Sequence, residues 1–140
     1  MFEAALICLA LNVYHEARDQ PFIGQVAVAQ VVMNRVQDHR YPDTICEVVK
    51  QGPTYKWTLG FPVRNKCQFS WYCDGKSDEA KDKDAWEEAL LVAHGVYGGN
   101  LDDFVEGATH YHAYYVKPEW AKTKTPIVRI SDHVFYRWEK

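Results

Sequence analysis

The stretch from Phe22 to Asp38 is apolar on almost every side. Ile23, Val26, Ala27, Val28, Ala29, Val31, Val32, Met33 and Val36 leave it no solvent face. A helix with that pattern belongs in the centre of a fold, with other elements laid around it. Pro21 is well placed as its first residue, and the same proline forces the preceding chain out of helix at Asp19-Gln20. Gln30 and Asn34, four apart on one face, are its polar exceptions. Two readings of them are open: they look into a cleft, or they hydrogen-bond loop backbone.

The preceding run, from about Phe2 to Arg18, reads as the first helix and ends on an acid. Leu6, Leu9, Val13 and Glu16 follow one another at spacings of three, four and three, so the carboxyl continues the core-facing stripe. Partial burial and the negative end of the helix dipole both disfavour a charged carboxylate there. A raised pKa suits an acid that hands a proton to a leaving group near neutral pH. The competing reading is an ion pair with Arg18 or another cation at a helix end.

With 140 residues, 47% of them hydrophobic, the chain suits one domain, residues 1–140, burying about two-thirds of its unfolded surface. Aromatics reach 14% with nine Tyr and five Trp, enough to line a groove as well as a core. A net charge of −3 gives no broad pull toward nucleic acid. The apolar run from Ala4 to Leu11 lacks a basic flank and is too short to span a bilayer. The chain therefore reads as unexported by its own means, without stable membrane insertion.

Cys8, Cys46, Cys67 and Cys73 form no Cys-x-x-Cys pair, which argues against a structural zinc site. In one straight strand Cys67 and Cys73 would be about 20 Å apart, so they bridge only if the chain turns between them. They are read here as reduced thiols.

Asp43 is placed to cap a short helix over Thr44–Gln51, and Gly52–Lys66 reads as a long loop of the kind that covers substrate. Cys67 to Cys73 alternates like a strand, with Gln68, Ser70 and Tyr72 on one face. Asp84 and Glu87 form a capping box for a helix that ends at Gly98-Gly99. The last third is short extended pieces, among them Thr109–Ala113, with His110 and His112 on one face, and His133–Trp138; Trp120 sits in a turn or short helix.

Several chemistries compete. His110 and His112 with His15, Glu16 or His133 would be the start of a metal site, as in a metal-dependent amidase, but there is no His-Glu-x-x-His. None of the cysteines has a nucleophile's context. The aromatics by themselves would serve a non-catalytic carbohydrate-binding module, which leaves the acid on the buried stripe without a purpose. Glycoside cleavage by a protonated Glu16 uses that acid together with the polar face of Gln68, Ser70 and Tyr72 and the Thr109–His112 segment.

The blocks Leu11–Arg18, Gly24–Val36, Tyr41-Pro42, Cys46–Val49, Cys67–Trp71, Ala108–Ala113 and His133–Tyr136 resemble, in order, the SleB/CwlJ cell-wall hydrolase family of spore cortex-lytic enzymes and their phage and bacterial relatives. The resemblance implies an α+β, mainly α, lysozyme-like (lytic transglycosylase-like) fold with a small β-hairpin region, acting on the glycan strand of peptidoglycan. It places the catalytic glutamate on Glu16. By analogy with lytic transglycosylases, Gln68 and Ser70 resemble their substrate contacts and Tyr111 the tyrosine facing their acid. Trp71, Thr109, His110, His112 and Tyr136 complete the expected substrate-binding set. No cofactor and no metal ion is implied, and a monomer is expected.

A hydrolase also wants a second carboxylate, about 5–5.5 Å away as nucleophile or roughly 6.5–9.5 Å away to activate water. Asp19, Asp74, Asp78, Asp102 and Asp103 all fall in expected loops, which favours a lytic transglycosylase over an N-acetylmuramidase. With no signal and no wall-binding repeat, the chain looks like a phage endolysin, made in the host cytoplasm and released to the wall or periplasm through a holin.

Overall fold

The computed structural model describes residues 2–57 and 60–139; of Phe2 only the backbone is described, and Thr58 and Leu59 of the expected loop lie outside this set. Helix α1 (Phe2–Ala17) leads into α2 (Phe22–Gln37), a short α3 (Ile45–Val49) and, after a long irregular stretch, α4 (Lys83–Tyr97). Strands β1 (His110–Ala113), β2 (Thr125–Ile130) and β3 (His133–Arg137) form an antiparallel sheet in the order β1-β3-β2. Tyr111 pairs with Phe135 and His112 with Val134 across β1 and β3, and a register shift interrupts β2 between Pro126 and Val128.

Helix α2 is central, as its composition requires, with every residue from Gly24 to Val32 buried. Val26, Ala29 and Val32 pack into a core with Leu6, Leu9 and Val13 of α1, Val48 and Val49 of α3, and Ala89, Val92 and Ala93 of α4. Its other side, Ala27, Val28 and Val31, packs on Val105, Ala108, Ile130 and Phe135 in a second cluster. One helix therefore joins the helical layer to the sheet. Each fully buried aliphatic or aromatic side chain contributes roughly 1.5–3 kcal/mol.

The polar residues of α2 bind loop backbone, so the second of the two readings holds. Gln30 Nε2 donates to the Asp102 carbonyl (2.7 Å) and Gln30 Oε1 accepts from Phe104 N (3.1 Å). Asn34 Nδ2 donates to the Ala108 carbonyl (2.9 Å) and Arg35 Nε to the Thr109 carbonyl (2.7 Å). Together they fasten residues 102–109 along α2 and so fix where β1 begins.

Four expectations are corrected. Cys67–Cys73 is a turn ending in a 3₁₀ helix at Ser70–Cys73, not a strand, because the chain doubles back and Asn65 N donates to the Cys73 carbonyl. That reversal brings the Cα atoms of Cys67 and Cys73 to 6.2 Å, and they form a disulfide; Cys8 of α1 and Cys46 of α3 form another at 5.2 Å. The cysteines are thus not reduced thiols. The cap of α3 is Thr44, accepting from Glu47 N, rather than Asp43. That of α4 is Asp82, accepting from Ala85 N, two residues before the expected box.

Candidate active site

The stripe drawn from Leu6 to Glu16 is real: Leu6, Leu9 and Val13 are buried, and Glu16 is half-buried at the last turn of α1. The far end of the stripe meets the sheet. There the Tyr111 hydroxyl of β1 donates a short hydrogen bond to Glu16 Oε1. Burial pushes the Glu16 carboxyl above its ordinary range, while the Tyr111 hydrogen bond and the positive charge of Arg35 pull in the opposite direction; the net shift is upward. Burial and then the neighbouring Glu16 push the Tyr111 phenol well up, so it remains a donor. Arg18, the alternative partner, instead lies over the Tyr14 ring and donates to the Tyr14 carbonyl.

Two clefts flank this pair. Glu16 lines one of about 470 Å³ with Tyr14, His15, Arg18, Ser70, Trp71 and a 74–81 rim that carries Asp74, Lys76, Glu79 and Lys81. Tyr111 lines another of about 310 Å³ with Arg35, Cys67, Gln68, His110 and Trp120. The Cys67–Cys73 loop serves both, since Ser70 and Trp71 face the first and Gln68 the second.

The expected binding residues divide accordingly. Trp71 is only 7% exposed; its indole nitrogen donates to Asn12 Oδ1 (2.9 Å) and His15 stacks on its ring at 4.6 Å. One of its faces is therefore already covered by an imidazole. Thr109 is buried and lines neither cleft; its hydroxyl meets Nδ1 of His110, a wall residue of the second, at 2.9 Å. His112 Nε2 pairs with the Tyr136 hydroxyl at 2.8 Å, and both rings pack on Trp120, which lines the second cleft, so they support its wall without lining it themselves. The proposed metal ligands are dispersed: His15 binds the Asp78 carbonyl, and His133 packs against Tyr111. Among the described residues no three His, Cys, Asp or Glu side chains gather as a metal site would need.

Of the loop acids considered as a second carboxylate, Asp74 reaches the Glu16 cleft, joined there by Glu79. Asp103 is spent capping Val105 N and Glu106 N. The groups acting on the Glu16 carboxyl itself are Tyr111 and Arg35, neither of them a carboxyl. Arg35 was not singled out from sequence. Its signal was there: Arg35 is the single charged residue of the central helix.

Residues 19–136 match the protein family described as Cell Wall Hydrolase. The chain belongs to that family. Glu16 stands just ahead of the matched residues, so its assignment rests on the resemblance of the Leu11–Arg18 block and on the geometry above. Among curated relatives, the spore cortex-lytic enzyme of Oceanobacillus iheyensis is 49% identical over 134 residues and that of Bacillus cereus 46% identical over 127, each match covering 91% of this chain. This chain spans about two-fifths of the length of those relatives, 39% and 42%. The catalytic domain of the germination-specific lytic transglycosylase SleB from Bacillus anthracis superposes with a TM-score of 0.68 at 25% identity, over 95% of this chain and 93% of that one. The fold is that of the SleB catalytic domain, lysozyme-like and mainly helical with a small three-stranded sheet.

Proposed function

We propose that this cell wall hydrolase domain cleaves the glycan strand of peptidoglycan between N-acetylmuramic acid and N-acetylglucosamine as a lytic transglycosylase. The carrying observation is the Glu16–Tyr111 pair, a half-buried carboxyl of raised pKa whose acting partners are a phenol and a guanidinium. Protonated Glu16 gives its proton to the glycosidic oxygen and the C1–O bond breaks. The muramyl 6-hydroxyl then attacks C1, and the Glu16 carboxylate takes that hydroxyl's proton, which closes a 1,6-anhydro ring and restores the acid. The likeness to a structure described as a lytic transglycosylase supports this order of events. Gln68, Ser70 and His110, on the cleft walls, would bind sugar hydroxyls and acetamido groups.

Mass spectrometry of fragments released from purified peptidoglycan tests the reading, and anhydro-muramyl ends are expected. Reducing muramyl ends would overturn it in favour of an N-acetylmuramidase, with Asp74 or Glu79 at the cleft rim as the second carboxylate. Capture on peptidoglycan without any release would mean a binding module.

The place of action belongs to the same proposal. Two disulfides suit an oxidising compartment on the wall side of the cell membrane. The relatives reported above are spore cortex-lytic enzymes, so they lend no support to the endolysin expectation. Holin-dependent release of a monomeric enzyme would be refuted by its appearance outside intact cells without a holin.

A further inference from the structure

Arg35 is 5% exposed, and its Nη1 is buried without a hydrogen-bond partner among the described residues. A buried, incompletely satisfied cation is costly to keep. The guanidinium lies over two rings, Tyr41 at 5.0 Å and Phe69 at 4.9 Å, and Nε is tied to the Thr109 carbonyl two residues before Tyr111. Packing and backbone thus hold it in one place. Arg35 lines the same cleft as Tyr111, whose hydroxyl is bonded to Glu16, and of the groups that act on its charge, Tyr41, Tyr111 and Glu16, only Glu16 is a carboxyl.

We propose that Arg35 is a positioning residue for Glu16, a fixed buried cation that stabilises the carboxylate formed halfway through the reaction. The inference rests on the transglycosylase reading, in which one carboxyl must serve first as acid and then as base. Burial alone favours the acid and would hold the proton too tightly for the second step. Arg35 opposes that from α2, and the Tyr111 hydroxyl opposes it from β1. On the open side the rim charges are mixed, Lys76 and Lys81 against Asp74 and Glu79, with His15 and Arg18 on α1 itself. The buried side is therefore where a lasting bias can be set. His110, which Arg35 also faces, is kept neutral down to about pH 4, so it adds no competing cation.

The test follows the titration of the Glu16 carboxyl by NMR and, in parallel, kcat and KM on purified peptidoglycan. Arg35→Gln removes the charge. Arg35→citrulline, in a chain joined by ligation at Cys46, removes the charge while keeping the planar shape and the Nε–H bond to Thr109, and serves if the glutamine variant fails to fold. Arg35→Lys keeps the charge. Glu16 is expected to titrate at higher pH in the neutral variants, with kcat reduced at least tenfold and KM within about threefold of the parent; lysine should restore most of both. An unmoved Glu16 titration in the citrulline chain, or a lysine variant as impaired as the citrulline one, would overturn the proposal. The titration is read without substrate, so absence of glycan cleavage by the parent would sink the functional reading and leave the charge coupling to be judged separately.

Discussion

Replacing Tyr111 with phenylalanine removes one hydroxyl from the centre of the site. Its ring packs at 5.4 Å from Phe135 and 5.0 Å from His133, contacts that phenylalanine keeps. What is lost is the hydrogen bond to Glu16 Oε1. A hydrogen bond to a charged group contributes about 1.5–3 kcal/mol, and this one reaches full strength only once Glu16 has given up its proton. At 1.36 kcal/mol per decade, kcat should fall roughly 10- to 150-fold, with little change in KM. The hydrogen bond lowers the Glu16 pKa, so its loss raises it further. The alkaline limb of kcat/KM should accordingly move to higher pH. The assay is fragment release from purified peptidoglycan across pH, beside thermal unfolding to establish that the variant is folded. A folded Tyr111→Phe enzyme with kcat within threefold of the parent would refute the role given to the pair.

Further outcomes are expected. Glu16→Gln should lose at least a hundredfold in rate. It should also be more stable than the parent at neutral pH: a raised folded pKa means that stability falls as pH rises from 4.5 toward the shifted value, and glutamine escapes that loss. Equal thermal midpoints across pH would contradict the burial argument. His110 is held at about 4 by burial first and by Arg35 next, against an ordinary 6.5, so its contribution to stability is full above 6.5 and lost as pH falls to about 4; His110→Gln should flatten that decline in melting temperature. The Cys8–Cys46 bridge closes a separation of 38 residues, and its removal should cost ~4 kcal/mol in chemical denaturation; four free thiols in the unreduced, unfolded protein would instead show that the bridges do not form.

Much of the fold was legible because it follows from local pattern. A helix without a polar face had to be central, and α2 is; an acid on an apolar stripe had to end inside the fold, and Glu16 does. Periodicity failed where a chain reversal overrode it. Alternation from Cys67 to Cys73 looks the same in a strand and in a turn, and only the backbone bond from Asn65 to Cys73 and the return of Gly52 against Cys67 distinguish them. The same reversal decided the disulfide. Nor could the sequence choose between cleft and loop for Gln30 and Asn34, because their partners are carbonyls more than seventy residues away.

The sequence by itself determined the central helix and the apolar stripe that carries Glu16 into the fold, since each depends on side-chain character within a few turns of chain. Tertiary structure alone decided what surrounds that acid. Tyr111 is 95 residues from Glu16 and reaches it because β1 is pinned to α2 through Asn34 and Arg35. The pKa of a carboxyl depends on the charges and donors within a few ångströms of it, whichever part of the chain they come from.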